Sequence, residues 1–118
     1  MKPQFIVAPI SKAIIYRGST TKIIPMKALS EKQINEKLKE FEGWDYHEGA
    51  LHTIFEFEDF KEAFSAMTRI AFEAEKLQHH PEWSNVYNSL EIYLSTHDAD
   101  GVTEKDFELA KIIDNLIG

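Results

Sequence analysis

The chain has 118 residues, 43% of them hydrophobic and 28% charged, which suits a single domain with one modest core. It contains no cysteine, so disulfides, thiolate nucleophiles and cysteine-ligated zinc are excluded, and a reducing compartment is consistent with the composition. The formal net charge of −7 argues against a nucleic-acid-binding surface.

The charge is distributed unevenly along the chain. Residues 1–30 carry five basic residues and no acidic one, whereas the chain from Glu31 onward carries eight basic and 20 acidic residues. The apolar runs in residues 1–30 are shorter than the roughly 18 residues of a membrane span. Pro9 and Lys12 also interrupt the apolar core that a signal peptide would need. No membrane association is therefore expected.

We divide the chain into an N-terminal extension, residues 1–26, and a domain, residues 27–118. Two interpretations of the extension remain open. Its acid-free composition is typical of an organellar transit peptide, or Met26 is the true start and the preceding residues are loosely attached. We expect a cytoplasmic protein, with an organellar location as the alternative.

The first predicted element of the domain is a helix over about residues 31–42. Ser30 and Gln33 form a capping box, and apolar residues then recur at helical spacing until Gly43. A β-hairpin is predicted next, because residues 44–48 alternate in polarity and residues 51–57 are apolar on one parity, with a turn-like Glu48-Gly49-Ala50 between them.

A second, longer helix begins after Asp59, which forms a capping pair with Glu62. Its apolar positions follow the helical rule for five turns: Phe60, Ala63, Phe64, Met67, Ile70, Ala71, Ala74 and Leu77. It must end near His79, because Pro81 moves the preceding residue out of the helical region. We expect its aromatic residues to be core, except that Phe72 falls outside the main stripe and is exposed or at a subunit contact.

Two strands and a final helix complete the domain. Strands are predicted over residues 83–88 and 89–96, with Trp83 and Tyr87 on one parity as core or interface residues. Thr103 and Asp106 cap the last helix. The order α-β-β-α-β-β-α has its strands in adjacent pairs, which favours an α+β fold: a four-stranded antiparallel sheet with helices packed on one face.

The residues suited to chemistry cluster around the sequence His79-His80-Pro81. Glu75 and His79 are four residues apart, so on one helix they would share a face, and the carboxylate could orient the imidazole. His80 should leave the helix and point elsewhere. If the two last strands are neighbours, His97 at the end of the second strand approaches this pair, and Asp106 arrives from the last helix.

Three interpretations of this histidine cluster are open. Imidazoles bind zinc, but adjacent histidines rarely reach one metal, so a zinc site is disfavoured. A purely structural role is a second alternative. General acid–base catalysis is the third and favoured one, because histidine titrates near neutral pH and no serine or cysteine nucleophile lies in a recognisable motif. From the residues alone this reaches proton transfer or dehydration without a covalent intermediate.

The spaced set of residues resembles the signature of the pterin-4a-carbinolamine dehydratases. The resemblance covers about residues 27–117 and includes the opening LSEKQINEKL and the dipeptide Gly43-Trp44. The matching positions are Glu75, His79, His80, Pro81, Trp83, Tyr87, His97 and Asp106.

The resemblance implies the loss of water from 4a-hydroxytetrahydrobiopterin to give the quinonoid dihydropterin, in tetrahydrobiopterin recycling. His79 and His97 would move protons, and His80 would mainly hold the pterin. Glu75 and Asp106 would support and orient the histidines, and no metal or bound cofactor is implied. The candidate catalytic residues are therefore His79, His80 and His97, and the candidate substrate-binding residues are His80, Pro81 and Trp83.

The resemblance also implies partners and an alternative function. Members of this family form dimers or tetramers and act after aromatic amino-acid hydroxylases, so a homodimer or homotetramer and a functional link to a hydroxylase are expected. The alternative is a dimeric binding module or transcriptional coactivator whose pterin site is vestigial. The retained histidine trio favours the enzyme, because a scaffold need not keep it.

Overall fold

The computed structural model of the protein describes residues 27–117. The division at residue 26 and both interpretations of the N-terminal extension concern residues outside this described part. The elements are α1 (Glu31–Leu38), β1 (Asp45–His47), β2 (Ala50–Glu56), α2 (Phe60–Leu77), β3 (Glu82–Val86), β4 (Ser89–Leu94) and α3 (Glu104–Ile117). A 3₁₀ turn, His97–Ala99, lies between β4 and α3.

The predicted α+β class and element order are confirmed. The four strands form one antiparallel sheet in the order β1-β2-β4-β3, so the two hairpins meet through β2 and β4. Leu90, Ile92 and Leu94 of β4 are fully buried. Since side chains alternate between the two faces of a strand, these three leucine and isoleucine residues place the core on one face, where the helices pack.

Helix α1 is capped as predicted but is shorter than predicted. Gln33 N–H donates to Ser30 Oγ, and Ser30 N–H donates to Gln33 Oε1. The helix ends at Leu38 rather than at residue 42. The following amides bond to carbonyls three residues back, including Phe41 N–H to the Leu38 oxygen, so the last turn tightens and leaves the α-helical pattern.

The first hairpin turns tightly between His47 and Ala50. Glu48 and Gly49 both have positive φ, 52° and 82°, which is the backbone of the two-residue turn that matches the twist of paired strands. Gly49 adopts this conformation without a steric cost, whereas Glu48 does not.

Helix α2 begins and ends close to the predicted residues. The Asp59 side chain accepts a hydrogen bond from Glu62 N–H at the first turn. At the other end Gln78 has φ 57° and ψ 41°, the left-handed conformation that closes many helices, although glycine is the usual residue there. This single residue redirects the chain into His79 and His80.

Two of the predicted strand ends are wrong. Strand β3 ends at Val86, because Tyr87 has φ 53° and forms the turn with Asn88; Tyr87 is exposed and does not continue the parity of Trp83. Strand β4 ends at Leu94, and His97 opens the 3₁₀ turn instead of continuing the strand. Thr96 pairs with Gly101 in an isolated bridge, which closes the intervening loop.

The prediction that the aromatic residues of α2 are core is wrong for Phe60 and Phe64. Their exposed fractions are 50% and 56%, and Phe72, predicted to lie outside the stripe, is exposed by 67%. The buried face of α2 is made mainly of small residues instead: Ala63, Ala66, Ile70 and Ala74. Small side chains allow α2 to lie close to β4 and α3, so the larger aromatic rings are left on its outer side.

Helix α3 supplies the other half of the helical layer. Phe107, Leu109, Ala110 and Ile113 are buried, and the indole N–H of Trp44 donates to Asp114 Oδ1 over 3.0 Å, which ties α3 to the start of the first hairpin. Within residues 27–117, no helix has the length and apolar composition that crossing a membrane requires.

Candidate active site

The end of α2, the loop after β4 and the start of α3 meet where β3 begins. The antiparallel register places Glu82 opposite Tyr93, so the start of β3 lies beside the end of β4, as the sequence predicted. A pocket of about 300 Å³ opens there. Its lining includes three histidines, and its residues are Gln78, His79, His80, Ser95, Thr96, His97 and Asp98.

His79 is the buried histidine of this pocket. Only 9% of the residue is exposed, and its Nε2 lies 2.5 Å from Asp106 Oδ1. Asp106 is fully buried at the first turn of α3. When Asp106 is ionised its carboxylate only accepts hydrogen bonds, and the proton of this bond then lies on Nε2 of His79.

The pairing of Glu75 with His79 was predicted and is wrong. Glu75 Oε1 lies 2.8 Å from Nε2 of His80 instead. The four-residue rule holds only while both residues belong to the helix, and α2 ends at Leu77. The left-handed Gln78 turns His79 into the interior and brings His80 back beside Glu75, so the expectation that His80 points away from the helix is also wrong.

The carboxylate of Asp106 is surrounded by hydrogen-bond donors. Its Oδ2 accepts from Thr96 Oγ1 over 2.9 Å and from Thr103 N–H over 2.8 Å, while Oδ1 accepts from His79. Each oxygen of the buried charge is therefore compensated, which is the condition under which a buried carboxylate is tolerated. The predicted capping pair of Thr103 and Asp106 forms, and it serves His79 at the same time.

His97 lies on the exposed rim of the pocket, at the start of the 3₁₀ turn. It also lines an adjoining pocket of about 320 Å³, whose walls carry three acidic residues. The lining of that second pocket is Glu48, Gly49, Glu82, Ser95, Thr96, His97, Asp100 and Gly101. The predicted approach of three imidazoles to one pocket is therefore seen in the structure.

Pro81 and Trp83 do not line the histidine pocket. Trp83 lies opposite Ile92 in the sheet and packs, partly buried, against the core. The role of these two residues in substrate binding stays a prediction. Four lining residues were not predicted from the sequence: Gln78, Ser95, Thr96 and Asp98. Gln78, Thr96 and Asp98 had a signal available, since each directly adjoins a candidate histidine in the chain.

A second titratable cluster lies on the open face of the sheet. His52 bonds through Nδ1 to Asp45 at 3.1 Å and through Nε2 to Glu91 at 2.8 Å, and Tyr93 donates to Glu91. Burial lowers the pKa of His52, but the hydrogen bonds to Glu91 and Asp45 outweigh it and raise the pKa above its ordinary value. The hydrogen bond from His52 lowers the pKa of Glu91, against the opposing effect of burial.

Neither cluster has the arrangement of a metal centre. Among residues 27–117, no three His, Asp or Glu side chains are grouped so that they could hold a metal ion. The preference for acid–base chemistry over zinc chemistry rests on the spacing of the adjacent histidines and stays a prediction.

The fold and the pocket together define a small α+β protein with a histidine- and carboxylate-lined site at one end of an antiparallel sheet. The family model of pterin 4 alpha carbinolamine dehydratase matches residues 27–116. The chain therefore belongs to the pterin 4 alpha carbinolamine dehydratase family, as the resemblance in the sequence indicated.

Named relatives and a solved structure agree with this membership. A "Putative pterin-4-alpha-carbinolamine dehydratase" of Christiangramia forsetii is 64% identical over 92 residues, which cover 78% of this chain and 95% of that protein. A protein of the same name from Rhizobium meliloti is 53% identical over 88 residues, covering 73% and 85% of the two chains. A crystal structure from Brucella melitensis, described as a transcriptional coactivator/pterin dehydratase, shares 40% identity with a TM-score of 0.76, covering 78% of this chain and all of that one.

Proposed function

We propose that the protein dehydrates 4a-hydroxytetrahydrobiopterin, the pterin-4a-carbinolamine, to the quinonoid dihydropterin. The observation that carries the proposal is the lining of one pocket by His79, His80 and His97, two of which have a carboxylate on Nε2. Elimination of water requires a proton for the departing hydroxyl and a base for the proton of the ring nitrogen. A pocket with several imidazoles can supply both.

The buried His79 and the exposed His97 suit different steps. Because Asp106 holds Nε2–H of His79, a neutral His79 offers Nδ1 as the base that takes the ring-nitrogen proton. His97, on the rim, gives a proton to the 4a-hydroxyl as the carbon–oxygen bond breaks, so that water leaves. The proton taken by His79 and the proton given by His97 balance over one turnover.

His80 has a binding role in this proposal. Its Nε2 is engaged by Glu75, with 71% of the Glu75 side chain and 61% of the His80 side chain exposed. An exposed pair of this kind contributes little to stability, so its value lies in holding the ring of His80 in one orientation toward the pterin. Glu75 and Asp106 thus act through the histidines they orient.

The experiment generates the carbinolamine in situ with a phenylalanine hydroxylase and follows its decay by ultraviolet absorbance, with and without a chelator. We expect the wild type to accelerate the decay, and the single variants His79→Ala and His97→Ala to lose about 10²-fold or more of that acceleration. His47→Ala is the matched control, because His47 lies on the open face of the sheet outside the pocket. Absence of acceleration by folded wild type contradicts the proposal.

A second candidate function is a binding module or transcriptional coactivator that no longer turns over pterin. The observation in its favour is the description of the Brucella melitensis structure as a transcriptional coactivator/pterin dehydratase. The same assay separates the two candidates: a folded wild type without activity, together with pterin-independent capture of a defined transcription-factor dimer, supports the binding module.

We further propose that the protein works as a homodimer or homotetramer in the cytoplasm, downstream of an aromatic amino-acid hydroxylase. Phe60, Phe64 and Phe72 on the outer side of α2 support self-association, since the rings of Phe60 and Phe64 pack together and remain half exposed. The hydroxylase is the reaction class that supplies a carbinolamine substrate.

A further inference from the structure

Thr96 is linked to both histidines that move protons in the proposed reaction. It directly precedes His97 in the chain, and its Oγ1 donates to Asp106 Oδ2, the carboxylate that holds His79. We propose that Thr96 is a positioning residue, which fixes the tautomer of His79 through Asp106 and fixes the loop that carries His97. The catalytic part of this inference rests on the proposed function; the part about the tautomer does not.

The direction of each hydrogen bond follows from the number of protons available. Thr96 has one hydroxyl proton, which it donates to Asp106, so the 2.8 Å contact between Thr96 Oγ1 and Thr103 Oγ1 must use the proton of Thr103. Thr103 Oγ1 in turn accepts from Lys105 N–H over 3.2 Å. The chain of donors therefore runs from Lys105 through Thr103 and Thr96 to the carboxylate.

This order of donors favours one position for the proton shared by His79 and Asp106. Asp106 Oδ2 receives both the hydroxyl of Thr96 and the amide of Thr103, and two donors on one oxygen favour the ionised carboxylate. The ionised carboxylate then accepts Nε2–H of His79 at Oδ1. The outcome for a neutral His79 is one preferred tautomer, with Nδ1 as its acceptor.

The backbone of Thr96 acts on the second histidine. Its N–H donates to the Gly101 oxygen over 2.8 Å, and its own oxygen accepts from the amides of Gly101 and Ala99 over 3.3 and 3.1 Å. These bonds close the loop over residues 97–100 directly beside His97. Because the side chain of the same residue is tied to Asp106, a shift of Thr96 would move His97 and loosen His79 together.

Replacement of the Thr96 hydroxyl by a methyl group isolates its contribution. Thr96→Val keeps the volume but removes one donor from Asp106 and the acceptor of the Thr103 hydroxyl, whereas Thr96→Ser keeps the hydroxyl. Thr53→Val is the matched control: Thr53 is buried, its Oγ1 donates to the Gly43 oxygen over 2.7 Å, and it lies on β2 outside the pocket lining.

The first readout is the ¹⁵N spectrum of the histidine side chains, which distinguishes the tautomers. We expect wild type, Thr96→Ser and Thr53→Val to show His79 with the proton on Nε2, and Thr96→Val to show a mixture of tautomers. A wild-type His79 with its proton on Nδ1, or a Thr96→Val spectrum identical to the wild type, overturns the inference. The wild-type spectrum alone tests the donor order, so the test survives if Thr96→Val fails to fold.

The second readout is the dehydration kinetics of the same four proteins. We expect Thr96→Val to lose about tenfold in kcat with KM changed less than twofold, Thr96→Ser to recover most of the loss, and Thr53→Val to lose stability but keep kcat. An unchanged kcat in Thr96→Val overturns the catalytic part. An inactive wild type with the expected tautomers means that the proposed function fails while the positioning of His79 by Thr96 stands.

Discussion

Asp106 shows how one buried side chain can combine a structural and a chemical role. It accepts at the first turn of α3 from Thr103 N–H, and it accepts from Thr96 and His79, which come from two other parts of the chain. A buried carboxylate with three donors is tolerated because both of its oxygens accept hydrogen bonds that replace those lost from water. The same three donors hold the site together.

The substitution Asp106→Asn tests this dual role. The NH₂ group of an asparagine side chain would face a group that now donates a hydrogen bond to Asp106. Two donors would then meet, and one buried donor would be left without a partner. We expect the free energy of unfolding to fall by about 1–3 kcal/mol and the proposed activity to fall by about 10²-fold, measured by urea unfolding and by the dehydration assay.

The control for Asp106→Asn is Glu108→Gln, an exposed change on the same helix. It should alter the free energy of unfolding by less than about 0.5 kcal/mol. Equal stability of the Asp106→Asn variant and the control would contradict the account of Asp106 as an acceptor of three buried hydrogen bonds.

At the scale of elements, the sheet is linked on its open face by a chain of polar side chains. Asp45 of β1, His52 of β2 and Glu91 of β4 bond in sequence across three neighbouring strands. His52 has a raised pKa and Glu91 a lowered one, so the charged forms of both residues are favoured in the folded protein. This link is therefore sensitive to pH.

The sign of the pH effect follows from these two directions. The contribution of His52 is fully present below pH 6.5, its ordinary pKa, and is lost as the pH rises through its raised folded value. The contribution of Glu91 is present above pH 4.5 and is lost as the pH falls through its lowered folded value. We expect the stability difference between wild type and His52→Asn to be largest between these two pH values and to shrink toward pH 9.

Thermal unfolding of both proteins across this pH range is the measurement. His47→Asn is the control, because His47 packs beside His52 but bonds neither Asp45 nor Glu91. A stability difference for His52→Asn that does not change with pH would show that the ring contributes by packing alone.

The packing of α2 depends on alanines on its inner face. Ala66 is 2% exposed there, so a leucine at this position has no space without displacing α2 from its neighbours. We expect Ala66→Leu to lower the free energy of unfolding by about 1–3 kcal/mol, measured by urea unfolding. Ala71→Leu, on the exposed side of the same helix, is the control and should change it by less than about 0.5 kcal/mol.

A gain or no change in stability for Ala66→Leu would mean that α2 can move outward freely. That result would contradict close packing of the helical layer as the reason why the aromatic residues of α2 lie outside.

At the scale of the whole molecule, α2 carries apolar aromatic side chains on its outer side, because its inner face is made of small residues. Phe60 and Phe64 have ring centroids 6.0 Å apart and are both half exposed. We expect the double change Phe60→Ser and Phe64→Ser to convert the proposed oligomer to monomer, because it removes apolar area that a second copy would bury. Sedimentation velocity of the wild type and the variant is the measurement.

Ile54→Ser is the control for this change, since Ile54 is an equally exposed apolar residue on the open face of the sheet. It should leave the oligomer intact. A monomeric wild type, or an oligomer broken by Ile54→Ser and not by the phenylalanine changes, would exclude the outer side of α2 as the interface.

The sequence by itself determined the order of elements, because each signal is local. The Ser30–Gln33 box, the Asp59 cap and the alternation in β4 depend on hydrogen bonds and side-chain directions within a few residues. The sequence also predicted the approach of three histidines: they line one pocket, because antiparallel hairpins place the start of β3 beside the end of β4. Asp106 bonds His79 from behind this lining.

The tertiary structure decided which carboxylate serves which histidine. The spacing of Glu75 and His79 predicts a pair on one helix, but the left-handed Gln78 ends α2 first, so His79 meets Asp106 and Glu75 meets His80. Packing decided likewise that Phe60 and Phe64 lie outside, because close contact between layers selects small side chains. Periodicity identifies the residues of a face, whereas only the assembled fold determines their partners.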